Sequence, residues 1–389
     1  MESTSIPRRH LVDLTPVAEL VVQEHRAAPC ACVAAAARTG KTVQYGFGAA
    51  GRLWFEENPP AGMRGTRPPA AAAEAIFDLA SVTKPLTALA FARLARAGAL
   101  RLDEPLGDVL PELADTPSAR APLELLAAHR AGLEAHRLLY PIGDGGEVGR
   151  VELLDALRVC ASARREGCAG EPPPEGFPPV YSDLGYLLLG AAIARRGGAA
   201  LEVIVEREVT GPLGLEIAPA GVLRRRDPRF DERVVPTEDA APRGGVIRGA
   251  VHDDNTWAIA QDGMAGHAGL FGDAMSVARL GVALLETLAG ERAAWLSRDE
   301  LWQLVKPRPG GSLRAGFDGR SGERPSSGSR LGARTFGHLG FTGTSLWIDP
   351  DAELAGVLLT NRVHPTRTSD AIRRARPAAY DALVDAMRA

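Results

Sequence analysis

The chain has 389 residues, of which 45% are hydrophobic and 24% charged, and a formal net charge of −3. This length and apolar content support a full core in one large domain or two coupled lobes, and exclude a disordered chain. The near-balanced charge, with no Lys/Arg cluster interleaved with aromatics, excludes a nucleic-acid surface. The densest basic run, Arg224 to Arg226, is diluted at once by Asp227, Asp231 and Glu232 and reads as a solvated loop.

Met1 to His10 is polar and Leu11 to Val22 is mixed, without the unbroken apolar stretch of an export signal. No window reaches transmembrane length, so a cytoplasmic protein with no membrane partner is expected. Ala31 to Arg38 and Val43 to Gly48 read as strands joined by the hairpin turn Thr39-Gly40-Lys41. Two patterns here imitate nucleotide loops. Ala35 to Thr42 lacks the first glycine of a phosphate loop and leads into a strand, and Gly46-Phe47-Gly48-Ala49-Ala50-Gly51 opens no helix, so no cofactor is expected. Cys30 and Cys32 share one face of the first strand, and Cys160 and Cys168 flank an Arg-rich turn. Four cysteines in this length read as structural thiols.

Ile76 to Ala80 reads as a short buried strand or turn, and Pro85 to Arg96 as an apolar helix. Between them stands Ser81-Val82-Thr83-Lys84. Only three of the 45 Lys and Arg residues are lysine, and a chain that writes nearly every cation as Arg keeps Lys where an amine must lose its proton. Residues three apart on a helix share a face, so the Ser81 hydroxyl and the Lys84 amine come within hydrogen-bond reach, which activates a weak alcohol. A helix N-terminus also favours a developing anion. The alternative is a serine cap followed by a first-turn lysine.

Helical periodicity continues over Leu86 to Leu94, Leu123 to Leu133, Val151 to Val159, Leu184 to Ala194, Leu201 to Val209 and Ser276 to Leu288. Tyr181-Ser182-Asp183 enters the fourth of these helices behind the rigid Pro178-Pro179. A phenol held near Lys84 would have its pKa lowered by the cation; the other reading packs the Tyr181 ring and uses Asp183 as a helix cap. His252, Asp253 and His267 read either as metal ligands or as loop residues ordering a cleft rim. Without an H-E-x-x-H spacing no metal is expected. Residues 307–334, dense in Gly, Ser, Arg and Pro, read as a long mobile loop. Strands follow over Ala333 to Leu339, Thr344 to Ile348 and Leu354 to Thr360, then a closing helix over Asp370 to Met387. In Gly337 to Thr344 small residues admit a ligand backbone, although His338 alone reads as a satisfied surface histidine. Strands at both ends around a helical middle predict an α/β fold of α+β type. One antiparallel sheet is assembled from the two ends, in a single domain with an α/β lobe (about 12–80 and 290–389) and an inserted helical lobe (about 81–289).

Order and spacing of these motifs resemble the serine hydrolase superfamily of penicillin-binding proteins, class C β-lactamases and related esterases and amidases. That family carries S-x-x-K, then Y-x-N, then K-T-G or a histidine-led H-x-G. The matching positions are Ser81 to Lys84, Tyr181-Ser182-Asp183 and His338-Leu339-Gly340. Leu125 to Leu133, Gly211-Pro212-Leu213-Gly214 and Gly266 to Phe271 are similar too, and the likeness runs from about residue 20 to the C-terminus. The resemblance implies that Ser81 is the acylated nucleophile, Lys84 its proton partner and Tyr181 the general base. It implies an oxyanion hole from the backbone NH groups of Ser81 and Phe341, and substrate contacts from Asp183, His338, Gly340 and Thr342.

Two positions depart from the family pattern. Asp183 stands where Asn is frequent; a carboxylate only accepts hydrogen bonds and favours a charged Lys84. His338-Leu339-Gly340 lacks the Lys and Thr that help hold a substrate carboxylate, which leaves the hydroxyls of Thr342 and Thr344. Ester or amide hydrolysis is therefore expected ahead of β-lactamase or D,D-carboxypeptidase activity. Val251 to Asn255 with Gly266 to Gly269 resembles a branch that includes cytoplasmic amidases removing the stem peptide from N-acetylmuramic acid. The expected partner is a small-molecule or peptide-like acyl substrate; the rival from another class is a non-catalytic binder of peptidoglycan fragments on the same fold.

Overall fold

The computed structural model describes residues 11–389, and the reading of Met1 to His10 lies outside them. In chain order the elements that position the site are β1 (Val12–Asp13), β2 (Cys30–Thr39), β3 (Thr42–Gly51), β4 (Phe77–Asp78), α1 (Thr83–Arg96), α2 (Leu153–Ser162), α3 (Asp183–Gly197) and β5 (Leu270–Gly272). They continue with α4 (Ala274–Leu288), β6 (Asp318–Gly319), β7 (Phe336–Leu339), β8 (Ser345–Asp349), β9 (Leu354–Thr360) and α5 (Ile372–Arg388).

Seven strands form one sheet in the order β1-β3-β2-β9-β8-β7-β6, antiparallel except for the β1–β3 pair. Its central seam joins the two ends of the sequence, with Ala31 opposite Thr360 and Ala37 opposite Leu354. The apolar run of β2 does not alternate because both of its faces are covered. Cys30, Cys32 and Ala34 enter the core shared with α4, whereas Ala31, Val33 and Ala35 enter the core shared with α5 and the N-terminal helix at Thr15–Glu19. Helix α4 lies so close to β9 that a Cβ at Gly281 would stand 2.4 Å from that of Ala355. All four cysteines are buried and unpaired.

Helices between β4 and α4 build the remainder of the main core. Helix α1 is buried around nearly its whole circumference, from Thr83 to Ala92, and so behaves as a core rod rather than an amphipathic surface helix. Three expectations change here. The helix expected over Leu123 to Leu133 stops at Ala127, because His129 takes φ 61° and Gly132 φ 79° to turn the chain beneath Tyr181. Arg224 to Arg226 form the last turn of a short helix, Ala220–Arg226, where cations suit the helix dipole and where Arg224 pairs with Asp231 and Arg226 with Glu206. Residues 307–334 are anchored rather than loose: Phe317 is 1% exposed, Arg314 donates to the Val305 carbonyl at 2.6 Å, and the amides of Ser329 and Arg330 both bond Asp381. The polar residues that made this segment read as mobile are its tethers. Among the described residues no helix is long and apolar enough to cross a membrane.

Candidate active site

Ser81 sits where β4 runs into α1, on a 3-10 turn spanning Ala80–Val82. The turn requires φ 47° at Ala80, a conformation costly for a residue with a Cβ. The buried Asp78 carboxylate holds it, accepting from the Ala80 amide at 2.8 Å through Oδ1 and from the His252 amide at 2.7 Å through Oδ2. Pro85 falls in the first turn of α1, where no amide proton is needed.

One turn on, the wholly buried Lys84 ammonium lies 3.0 Å from Ser81 Oγ and 2.7 Å from Asp183 Oδ1, with the His267 carbonyl at 3.4 Å. Burial alone would lower its pKa, but the Asp183 charge and hydrogen bonds to Asp183 and Tyr181 outweigh burial and raise it. For Asp183, burial pushes upward and loses to Lys84 and His136, which hold the carboxyl far below the usual range. The pair is ionic. It forms because Ser182, not Asp183, caps α3: Ser182 Oγ accepts from the Gly185 amide at 3.2 Å, leaving Asp183 free to reach Lys84.

Tyr181 lies with its ring centroid 4.7 Å from Lys84 Nζ. The cation was expected to lower the phenol pKa, but the net shift is upward. Burial is the largest cause and raises it, Lys84 and Ser81 pull it down, and the Asp183 charge adds to the rise. At neutral pH the resting site is therefore an ammonium, a carboxylate and a neutral phenol. His129 lies under the Tyr181 ring at 4.8 Å, and its Nδ1 accepts the Ser182 amide at 3.0 Å, so the neutral ring carries its proton on Nε2. Burial and the Lys84 charge push its pKa down to about 3.

His338, at the end of β7, is not a surface histidine: it is 4% exposed, and its Nδ1–H donates to the Leu339 carbonyl at 2.7 Å. Burial and Lys84 push its pKa to about 3 as well. Only glycine fits at position 340, since a Cβ there would meet Thr344 Oγ1 at 2.0 Å and the Leu79 carbonyl at 2.6 Å. The hydroxyls considered for substrate are committed elsewhere. Thr342 Oγ1 donates to the Asp78 carbonyl at 2.8 Å and Thr344 Oγ1 to the Leu79 carbonyl at 2.9 Å, so they stitch the β7–β8 turn to the Ser81 turn. Thr342 is 1% exposed and lies outside the cleft lining. This stitching ties the turn that carries Phe341 to the turn that carries Ser81, and both residues line one cleft. Among the described residues neither amide donates to a protein group.

A cleft of about 860 Å³ is lined by Ser81, Tyr181, Asp183, His338, Gly340 and Phe341 together. The sequence reading gave no role to the arginines that line it as well, Arg362, Arg367, Arg373 and Arg376. Arg376 is 7% exposed and has no carboxylate partner among the described residues. It reaches only the Thr344 carbonyl at 3.5 Å and leaves its Nε unpaired, and burial lowers its pKa to about 10. His252 and His267 do not converge. His252 Nε2 meets Glu238 at 3.0 Å and His267 Nε2 meets Asp253 at 2.9 Å, and no metal-holding group of three such side chains occurs among the described residues.

A two-ended antiparallel sheet, a helical middle and a serine-lysine pair at their junction define a penicillin-binding-protein-like serine hydrolase. The beta-lactamase family model matches residues 19–380; the chain belongs to that family and is a serine hydrolase. It is 27% identical to an N-acetylmuramyl-L-alanine amidase of Bacillus subtilis (strain 168), over 77% of this chain and 70% of the relative. It is 28% identical to a putative D-alanyl-D-alanine carboxypeptidase of Escherichia coli (strain K12), over 74% of this chain and 69% of the relative. The fold is shared with EstCE1, a hydrolase with promiscuous acyltransferase activity (TM-score 0.65, 23% identity, 94% of this chain and 97% of that one). It is also shared with the octameric penicillin-binding protein homologue from Pyrococcus abyssi (TM-score 0.68, 18% identity, 96% and 77%).

Proposed function

We propose that the protein cleaves an amide or ester in a carboxylate-bearing muramyl peptide derived from the cell wall, in the cytoplasm, through an acyl-enzyme on Ser81. The observation that carries this reading is the position of Lys84 Nζ, which touches Ser81 Oγ and Asp183 and lies against Tyr181. Loss of one proton from the coupled Lys84–Tyr181 pair supplies the base. The Tyr181 oxygen then takes the Ser81 proton as Oγ bonds the acyl carbon, and the charge forming on the carbonyl oxygen is met by the NH groups of Ser81 and Phe341. The same proton passes to the leaving amine or alcohol, and water repeats the sequence on the acyl-enzyme.

The substrate class draws support from two sides. The names of the Bacillus subtilis and Escherichia coli relatives refer to muramyl-alanine and D-alanyl-D-alanine. Arg373 and Arg376 line the cleft without an acidic partner among the described residues, which suits a substrate carboxylate in place of the missing Lys and Thr of the third motif. Incubation with an N-acetylmuramyl-L-alanyl peptide, followed by mass spectrometry, should show release of the peptide with a free amine and none from the Ser81→Ala variant. Calorimetric binding of that peptide without any product would instead support a fragment-binding protein.

A further inference from the structure

We propose that Glu238 and His252 are positioning residues that set the Phe341 side of the oxyanion site. The inference rests on the acyl-serine reading above. The Phe341 ring is 47% exposed, so burial alone does little to orient it. Specific contacts hold it instead. The His252 ring stacks on it at 5.6 Å and 26°, the Arg362 guanidinium lies 4.6 Å from its centroid and that of Arg367 5.5 Å, and Arg362 Nε donates to the Phe341 carbonyl at 2.8 Å.

Glu238, 7% exposed, ties two of these groups together. Its Oε2 meets His252 Nε2 at 3.0 Å and accepts from Arg367 Nε at 2.6 Å, while Oε1 accepts the Arg367 amide at 3.2 Å. The other end of His252 reaches the nucleophile. Its backbone amide donates to Asp78, whose second oxygen holds the Ala80 amide next to Ser81. One residue therefore touches both halves of the site, the Ser81 turn through its main chain and the Phe341 turn through its ring, without contacting Ser81. Oxyanion donors act only when placed to a fraction of an ångström, and the Glu238–His252 pair gives the two amides a shared reference.

The test uses Phe341→Ala, which removes an exposed ring and leaves its amide, Glu238→Ala, and the double variant. Each is measured for kcat and KM on a p-nitrophenyl acyl ester, for the rate of fluorophosphonate labelling, and for thermal midpoint. Phe341→Ala and Glu238→Ala should each lower kcat and the labelling rate by about tenfold or more, with KM within about twofold. The double variant should be no slower than the slower single one. Losses that multiply in the double variant, or native rates in Phe341→Ala, overturn the proposal. Labelling that persists in Ser81→Ala overturns both this and the acyl-serine reading; labelling confined to Ser81 and indifferent to Phe341→Ala and Glu238→Ala overturns the positioning role alone.

Discussion

Asp183→Asn removes the charge that does most to keep the Lys84 proton in place, at almost constant shape. With Nζ and Oδ1 2.7 Å apart, the attraction is about 6 kcal/mol at an effective dielectric constant of about 20. Much of it offsets the burial of Lys84, and opposite charges at this range shift a pKa by about 1–3 units in practice. The sign follows from the two opposing causes. In the native site the Asp183 charge outweighs burial and Lys84 is raised; without the carboxylate, burial dominates and the ammonium loses its proton at lower pH. If the active form is the one that has lost a proton from the Lys84–Tyr181 pair, the acidic limb of kcat/KM for a p-nitrophenyl acyl ester moves down by about 1–3 pH units in Asp183→Asn. A limb that stays in place or moves to higher pH refutes the assignment of that proton.

Three further outcomes follow from the same geometry. Gly340→Ala should cost about 10²-fold or more in kcat/KM, because its Cβ would push on the Leu79 carbonyl at 2.6 Å and displace the Ser81 turn; near-native kinetics would contradict the close approach. Tyr181→Phe should lower kcat by about 10²–10⁴-fold while circular dichroism stays native, and normal turnover would remove Tyr181 as the base. His129 and His338 stay neutral in the fold down to about pH 3, whereas the unfolded chain protonates them near 6.5. As pH falls below 6.5 the unfolded state binds the extra protons, so each histidine removes about 1.4 kcal/mol of stability per pH unit. In urea titrations His129→Gln should flatten this slope by one proton, and an unchanged slope contradicts a buried neutral ring.

Much of the fold could be read from the sequence where burial writes a simple pattern. The unbroken apolar stretch of β2 and the turn at Gly40 are such cases, as is the apolar helix after Ser81. Lys84 stood out because arginine serves nearly everywhere else. The failures share a different cause: they depend on what a side chain meets far along the chain. Thr342 and Thr344 look free in sequence, yet their hydroxyls bond carbonyls of Asp78 and Leu79 more than 260 residues earlier. Asp183 resembles a cap until Ser182 takes that place. The Tyr181 pKa moves up because burial of the phenol outweighs the cation beside it, and the Asp183 charge adds to the rise. Arg373 and Arg376 reach the cleft because α5 folds back against the β7–β8 turn, and no local spacing announces that contact. The Glu238–His252 pair joins residues 14 apart across a short hairpin, Asp239–Ala240 with Gly245–Val246, too brief for periodicity to carry a signal.

Whether Ser81 is the residue that becomes acylated is tested most directly by intact-mass spectrometry of native protein and Ser81→Ala after exposure to a fluorophosphonate. A single adduct on the native chain, mapped to the peptide that contains Ser81 and absent from the variant, is the expected result. Equal labelling of Ser81→Ala would contradict it.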